Sequence, residues 1–143
     1  MIYIQNRDLS YDLFIELGGV NMLISMMQVY IKGTAEAVQL YQRAFDAKLI
    51  NEHKNDDGSY MHAELDIYGQ IMALSESSEE KIITGNTMQF CLHFGEADKE
   101  LVERAFRVLE QDAQILIPLG PCFFSSCMVG FIDKFGVSWC LFA

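Results

Sequence analysis

The sequence predicts an α+β fold made of two βαβββ units in tandem, and three observations predict it. The chain echoes itself: residues 28–45 (QVYIKGTAEAVQLYQRAF), moved 61 places, fall without a gap on residues 89–106 (QFCLHFGEADKELVERAF). Gln28 then meets Gln89, Leu40 meets Leu101, and Arg43, Ala44 and Phe45 meet Arg104, Ala105 and Phe106. A second echo pairs residues 69–74 (GQIMAL) with 136–141 (GVSWCL). Within each copy, apolar periods of two and of 3.6 follow one another in the same order. A unit of roughly 50–55 residues cannot bury its own apolar face, whereas two such units together can.

Each element has its own reason. Residues 24–32 read as a strand, with Met27, Val29 and Ile31 on one face and Met26, Gln28, Tyr30 and Lys32 on the other. Gly33-Thr34 opens a helix with Thr34 as its N-cap. Ala37, Val38, Tyr41, Ala44 and Phe45 form its buried stripe, and it ends near Asp46. Residues 48–54 and 59–68 form a hairpin around Asn55-Asp56-Asp57-Gly58, where Asp-Gly accommodates positive φ. On the second of these strands Met61, Ala63, Leu65 and Ile67 alternate with Tyr60, His62, Glu64 and Asp66. A turn at Tyr68-Gly69 leads to a strand at 70–75. The second copy has a strand at 87–94, with Met88, Phe90, Leu92 and Phe94 opposite Gln89, Cys91 and His93. A helix over 97–111 buries Leu101, Val102, Ala105, Val108 and Leu109. Strands follow at 113–118, 122–130 and 137–142, with Pro118, Gly120 and Pro121 separating the first two.

This divides the chain into an N-terminal extension (1–21) and a single domain (22–143). The domain consists of module one (22–76), a linker (77–86) and module two (87–143). Within the extension, residues 8–17 read as a short helix capped by Ser10 or Asp8 and stopped by Gly18-Gly19. The repeat does not need the extension, and Met22 is an alternative start.

A length of 143 residues fits one domain, and 51% apolar with 21% charged residues reads as globular. No apolar run reaches the ~20 residues of a membrane span, and the N-terminus lacks a signal-peptide pattern, so the expected location is cytoplasmic. Cys91, Cys122, Cys127 and Cys140 lack CxxC spacing and are expected as reduced core or pocket residues. A net charge of −10 argues against nucleic acid and anionic membrane as partners.

The tandem βαβββ order, the helix TAEAVQLYQRAF (34–45), MHAELDIYGQ (61–70) and the ending GFIDKFGVSW (130–139) resemble the vicinal-oxygen-chelate superfamily. This group contains glyoxalase I, extradiol dioxygenases and bleomycin-resistance proteins. The PhnB-like branch, also labelled 3-demethylubiquinone methyltransferase-like, is the most similar. The resemblance covers residues 22–143. It implies a glyoxalase-like, incompletely closed barrel or cup with the helices outside, and a homodimer. It also implies metal-ligand positions at Met26 (with Gln28 two residues on), near Ser75 or Glu76, at Gln89 and at Cys140. Thioether, amide and thiol make a poor cage beside imidazole and carboxylate, so no metal and no cofactor are expected. The methyltransferase label has no Gly-rich nucleotide loop to support it.

The ligand-binding candidates are Gln28, Tyr30, His62, Glu64, Gln89, His93 and Cys140. His62 and Glu64 project from one strand face about 6.5–7 Å apart along the strand. They read either as a recognition or proton-transfer pair or as a solvated sheet face. Gln28, Gln89 and His93 read as hydrogen-bonding groups for a ligand or for one another. Cys140 reads as a pocket residue rather than a nucleophile, since no base accompanies it. The predicted surface brings Gln28, His62, Glu64, Gln89 and Cys140 together and turns Met61, Val29, Phe90 and Trp139 to the helices. Three functions follow from these residues: a metal-independent protein that binds a small molecule in the cup, a divergent metal-dependent lyase or dioxygenase, or an interaction module whose cup is filled by its own side chains.

Overall fold

The chain folds in the order β1 (Met26–Ile31), α1 (Thr34–Phe45), β2 (Lys48–Lys54), β3 (Tyr60–Ile67), β4 (Gln70–Glu76), β5 (Phe90–His93), a 3-10 turn (Glu96–Asp98), α2 (Lys99–Leu109), β6 (Gln114–Cys122), β7 (Ser125–Ile132) and β8 (Ser138–Phe142). This computed structural model describes residues 22–143. The extension over 1–21 and the helix expected at 8–17 lie outside the described residues.

Each unit makes a four-stranded sheet, with orders β1-β4-β3-β2 and β5-β8-β7-β6. The outer strand of each sheet, β1 or β5, runs parallel to β4 or β8, and the remaining pairs are antiparallel. A parallel pair needs a long crossover, which the helix and the intervening hairpin supply. The sheets do not close on each other, so the architecture is the α+β, glyoxalase-like open cup.

The repeat is present, but its strand register differs from the gap-free slide. Counted four residues on from the turn glycines Gly69 and Gly136, Ala73 lies opposite Gln28 and Cys140 lies opposite Cys91. Cys91 therefore stands where Gln28 stands in the first sheet, an offset of 63 (91 − 28) rather than 61. By the same count Gln89 replaces Met26 and His93 replaces Tyr30.

One hydrophobic core joins the two units. The inner sheet faces supply Leu65, Ile67, Met72, Leu74, Val129, Phe131, Trp139 and Leu141, all essentially inaccessible to solvent. The predicted stripe of α1 is buried as read, and α2 buries Val102, Ala105 and Leu109 with Leu101 and Val108 half-buried. Trp139 crosses the boundary between units: its ring centroid lies 5.6 Å from that of Tyr41 and 4.9 Å from that of Phe45, both on α1. Burying such rings contributes roughly 1.5–3 kcal/mol each.

Local chemistry corrects several expectations. Thr34 is the first helical residue, not the N-cap; Gly33 takes that place at φ 82°. The helix start is satisfied from a distant strand. Glu76 accepts from the Gly33 N–H (2.9 Å), the Thr34 N–H (2.8 Å) and the Thr34 hydroxyl (2.6 Å). The Thr34 hydroxyl in turn accepts from the Tyr60 N–H at 2.8 Å. Met61, expected against the helices, is 58% exposed while Tyr60 is buried. A register shift against β2 at this strand end disrupts the alternation. Finally, β6 runs unbroken through Pro118, Gly120 and Pro121, with register shifts along it. Proline is tolerated there because β6 is an edge strand.

Candidate functional site

The face of each sheet turned away from the helices carries the polar residues. On the first sheet, pairing aligns Gln28 with Ala73 and Glu64, and Tyr30 with Ser75. His62, two residues before Glu64, shares that face, and His62 Nε2 lies 2.9 Å from Glu64 Oε1. Both side chains keep about a quarter of their surface, at 29% and 21% exposed. The pair is thus formed and still reachable by solvent. The Gln28 amide donates to Ser75 Oγ at 3.3 Å. Tyr30 is 66% exposed.

The open face of the second sheet carries Gln89, His93 and Cys140. The Gln89 amide donates to Ser138 Oγ at 3.4 Å and to the Trp139 carbonyl at 3.2 Å. The His93 ring stacks on Phe142 with centroids 4.3 Å apart and planes 16° apart. Cys140 lies beside Cys91, and its thiol is pushed up to about 11 by burial first and by Cys91 second.

The seven candidates therefore fall into two groups, one per sheet. A cleft of about 580 Å³ lies between them at the rim, along β1 and β5, lined by Gln28, Tyr30 and Gln89, by Ile82 and Ile83 of the linker and by Met88. His62 and Glu64, on β3, are not among the cleft-lining residues, and neither are His93 and Cys140. His53, read from the sequence as an exposed residue of an edge strand, is exposed on β2 and stands directly opposite His62. Sequence reasoning missed Cys91 as an exposed partner of Cys140 and expected it in the core or a pocket, because the 61-residue slide matched Cys91 to Tyr30 and not to Gln28.

The residues at the positions implied for a metal do not fit one. Glu76 is committed to the start of α1, and the hydrogen bonds from Thr34 and Gly33 outweigh burial to hold its carboxyl below the usual range. Cys140 is a buried thiol, a soft donor that does not match the amide and carboxylate at the other positions. Gln89 is turned to Ser138 and Trp139, and Met26 offers a thioether. Among the described residues, no three His, Cys, Asp or Glu side chains gather closely enough to hold an ion. Nor is any described helix long and apolar enough to cross a membrane.

The motif at 133–139 has a structural role. The Asp133 carboxylate is buried and accepts from Tyr41 Oη (2.7 Å), Trp139 Nε1 (2.9 Å) and the backbone N–H groups of Phe135 (2.9 Å) and Val137 (3.0 Å). Burial raises its pKa, and these four donors pull it back only in part.

Similar solved structures share this architecture. A PhnB protein from Bacillus cereus, provisionally named a 3-demethylubiquinone-9 3-methyltransferase, is 28% identical at a TM-score of 0.72, over 85% of this chain and 98% of that one. Protein PA1353 from Pseudomonas aeruginosa is 23% identical at 0.68, over 85% and 97%. A mutant of the fosfomycin resistance protein FosX from Listeria monocytogenes, complexed with Mn(II) and 1S,2S-dihydroxypropylphosphonic acid, is 16% identical at 0.62, over 87% and 91%. No protein-family model and no curated protein matches the chain.

Proposed function

From the premise that the chain is a PhnB-like member of the vicinal-oxygen-chelate superfamily, we propose that it is a metal-independent, cytoplasmic protein that binds a small molecule on the open face of its cup. The observation that carries this reading is the commitment of Glu76 to the helix start while the His62–Glu64 pair stands formed and accessible. The carboxylate best suited to a metal is spent on structure, and the polar groups left free suit hydrogen bonding to an organic ligand. His62 with Glu64 offers one fixed polar contact, Gln28 and Gln89 offer amides at the rim, and Tyr30 and the His93–Phe142 stack offer flat aromatic surface. Four free cysteines agree with a reducing compartment. We further assign the uncovered faces to a homodimer, in which a second copy closes the cup.

The test is metal analysis of protein purified without added metal, beside a thermal-shift screen of small organic compounds and of Mn(II), Ni(II) and Zn(II). A ligand that binds only the folded state stabilises it with the logarithm of its concentration over Kd. The expected result is no stoichiometric metal, and a stabilising compound whose affinity falls about tenfold, near 1.4 kcal/mol, in His62→Ala and Glu64→Gln. Stoichiometric metal, or a melting temperature lowered by chelator, would defeat the reading and put the metal-dependent lyase or dioxygenase first.

A further inference from the structure

A second chemistry on the cup's open face needs no ligand there. Cys91 and Cys140 are directly opposed across the parallel β5–β8 pair. Neighbouring strands run about 4.7–4.9 Å apart, inside the range of about 4.4–6.8 Å between Cα atoms that a disulfide spans. Cys91 is exposed, whereas Cys140 keeps only 7% of its surface. Burial raises the Cys140 pKa, and the neighbouring Cys91 thiol adds to the shift. The other two thiols are placed differently: Cys127 belongs to the core, and Cys122 has its Sγ 3.7 Å from Met128 Sδ.

We propose that Cys91 and Cys140 form a reversible dithiol–disulfide site, with Cys91 taking up a low-molecular-weight disulfide and Cys140 releasing it. In the first step the Cys91 thiolate attacks one sulfur of the small disulfide. That S–S bond breaks, one half leaves as a thiolate that takes a proton, and the other half is joined to Cys91. In the second step Cys140 gives its proton to solvent and attacks Cys91 Sγ, expelling the second half as a thiol. The protein dithiol is oxidised, and one small disulfide is reduced to two thiols. Exposure sets the order, since only Cys91 can meet an external reagent. The raised pKa of Cys140 slows the second step at neutral pH, because the loss of thiolate outweighs the gain in nucleophilicity, and its place directly opposite Cys91 supplies the proximity that this intramolecular step relies on. The strand spacing exceeds the usual Cβ separation of a disulfide, about 3.5–4.5 Å, so the bond formed is easily reduced.

The experiment treats the reduced full-length protein with oxidised glutathione at neutral pH, alkylates the remaining thiols and maps the peptides by mass. Wild type is expected to lose two hydrogens, retain no glutathione and yield a Cys91–Cys140 linked peptide that dithiothreitol separates. Cys140→Ser is expected to stop with glutathione on Cys91, and Cys91→Ser to react about tenfold more slowly or less. Wild-type protein that keeps glutathione on Cys91, links Cys91 to Cys122, or forms the Cys91–Cys140 link only in denaturant would overturn the proposal. The wild-type map decides the matter even if Cys140→Ser folds poorly.

Discussion

Asp133 shows how much one side chain can organise. Its two oxygens take four hydrogen bonds, two from a turn, one from a tryptophan and one from a helix of the other unit. A buried carboxylate is tolerated only with such partners. In Asp133→Asn the carbonyl can still serve the backbone N–H groups, but the amide nitrogen then faces Trp139 Nε1, which is donor-only. Stranding that donor is expected to cost about 1–3 kcal/mol, read as a lower midpoint in urea unfolding with an unchanged slope. At this scale the sequence was partly legible. Period-two alternation placed His62 and Glu64 on the helix-free face, and the structure has them in contact. The same alternation failed at Met61, because a bulge at a strand end is set by the partner strand and leaves no mark in local periodicity.

Among the elements, α1 is instructive because its start is held from outside its own sequence. Thr34 looked like a cap by residue type, but the acceptor is Glu76, 42 residues away. A long-range cap cannot be read from a local pattern, since any acidic residue at a strand end would look the same. Glu76→Gln keeps an acceptor but loses the charge, and is expected to cost about 0.5–2 kcal/mol at neutral pH. The folded carboxyl is held below its ordinary 4.5, so its contribution is full above that value and is lost as pH falls through the lowered one. The gap between wild type and variant, followed by thermal melting across acid pH, should therefore close on acidification. A gap unchanged down to the acid limit would mean that charge plays no part. Both helices and all eight strands were legible from the two periods. The unbroken β6 was not, because proline and glycine mark breaks in central strands but are permitted at an edge.

In the molecule as a whole, the helices and inner sheet faces consume the apolar surface of one side, and the other side stays open. Along β6 and its following turn, Ile115, Leu116, Ile117, Leu119, Phe123 and Phe124 are all exposed, Phe123 at 99%. Edge strands with such surface are normally covered. We propose that a homodimer covers them, and light scattering at micromolar concentration is expected to give twice the chain mass. Phe123→Glu should shift that value toward the single chain while leaving the circular dichroism unchanged. A wild-type monomer would count against the assembly. Tandem duplication was legible in the residues, while the exposure of β6 was not, because its apolar residues read locally as an ordinary buried strand.

The shared core has a consequence for chain continuity. Tyr41 reaches Asp133, Glu36 meets Lys134, and Trp139 lies among the rings of α1. Each unit thus completes the other's interior, and the covalent thread over 77–86 serves mainly to keep the halves at high local concentration. A single protease cut after exposed Lys81 should leave two fragments that elute together and melt in one transition, parting only in denaturant. Either fragment made alone should fail to fold, so the doubled sequence behaves as one indivisible folding unit rather than as two small domains.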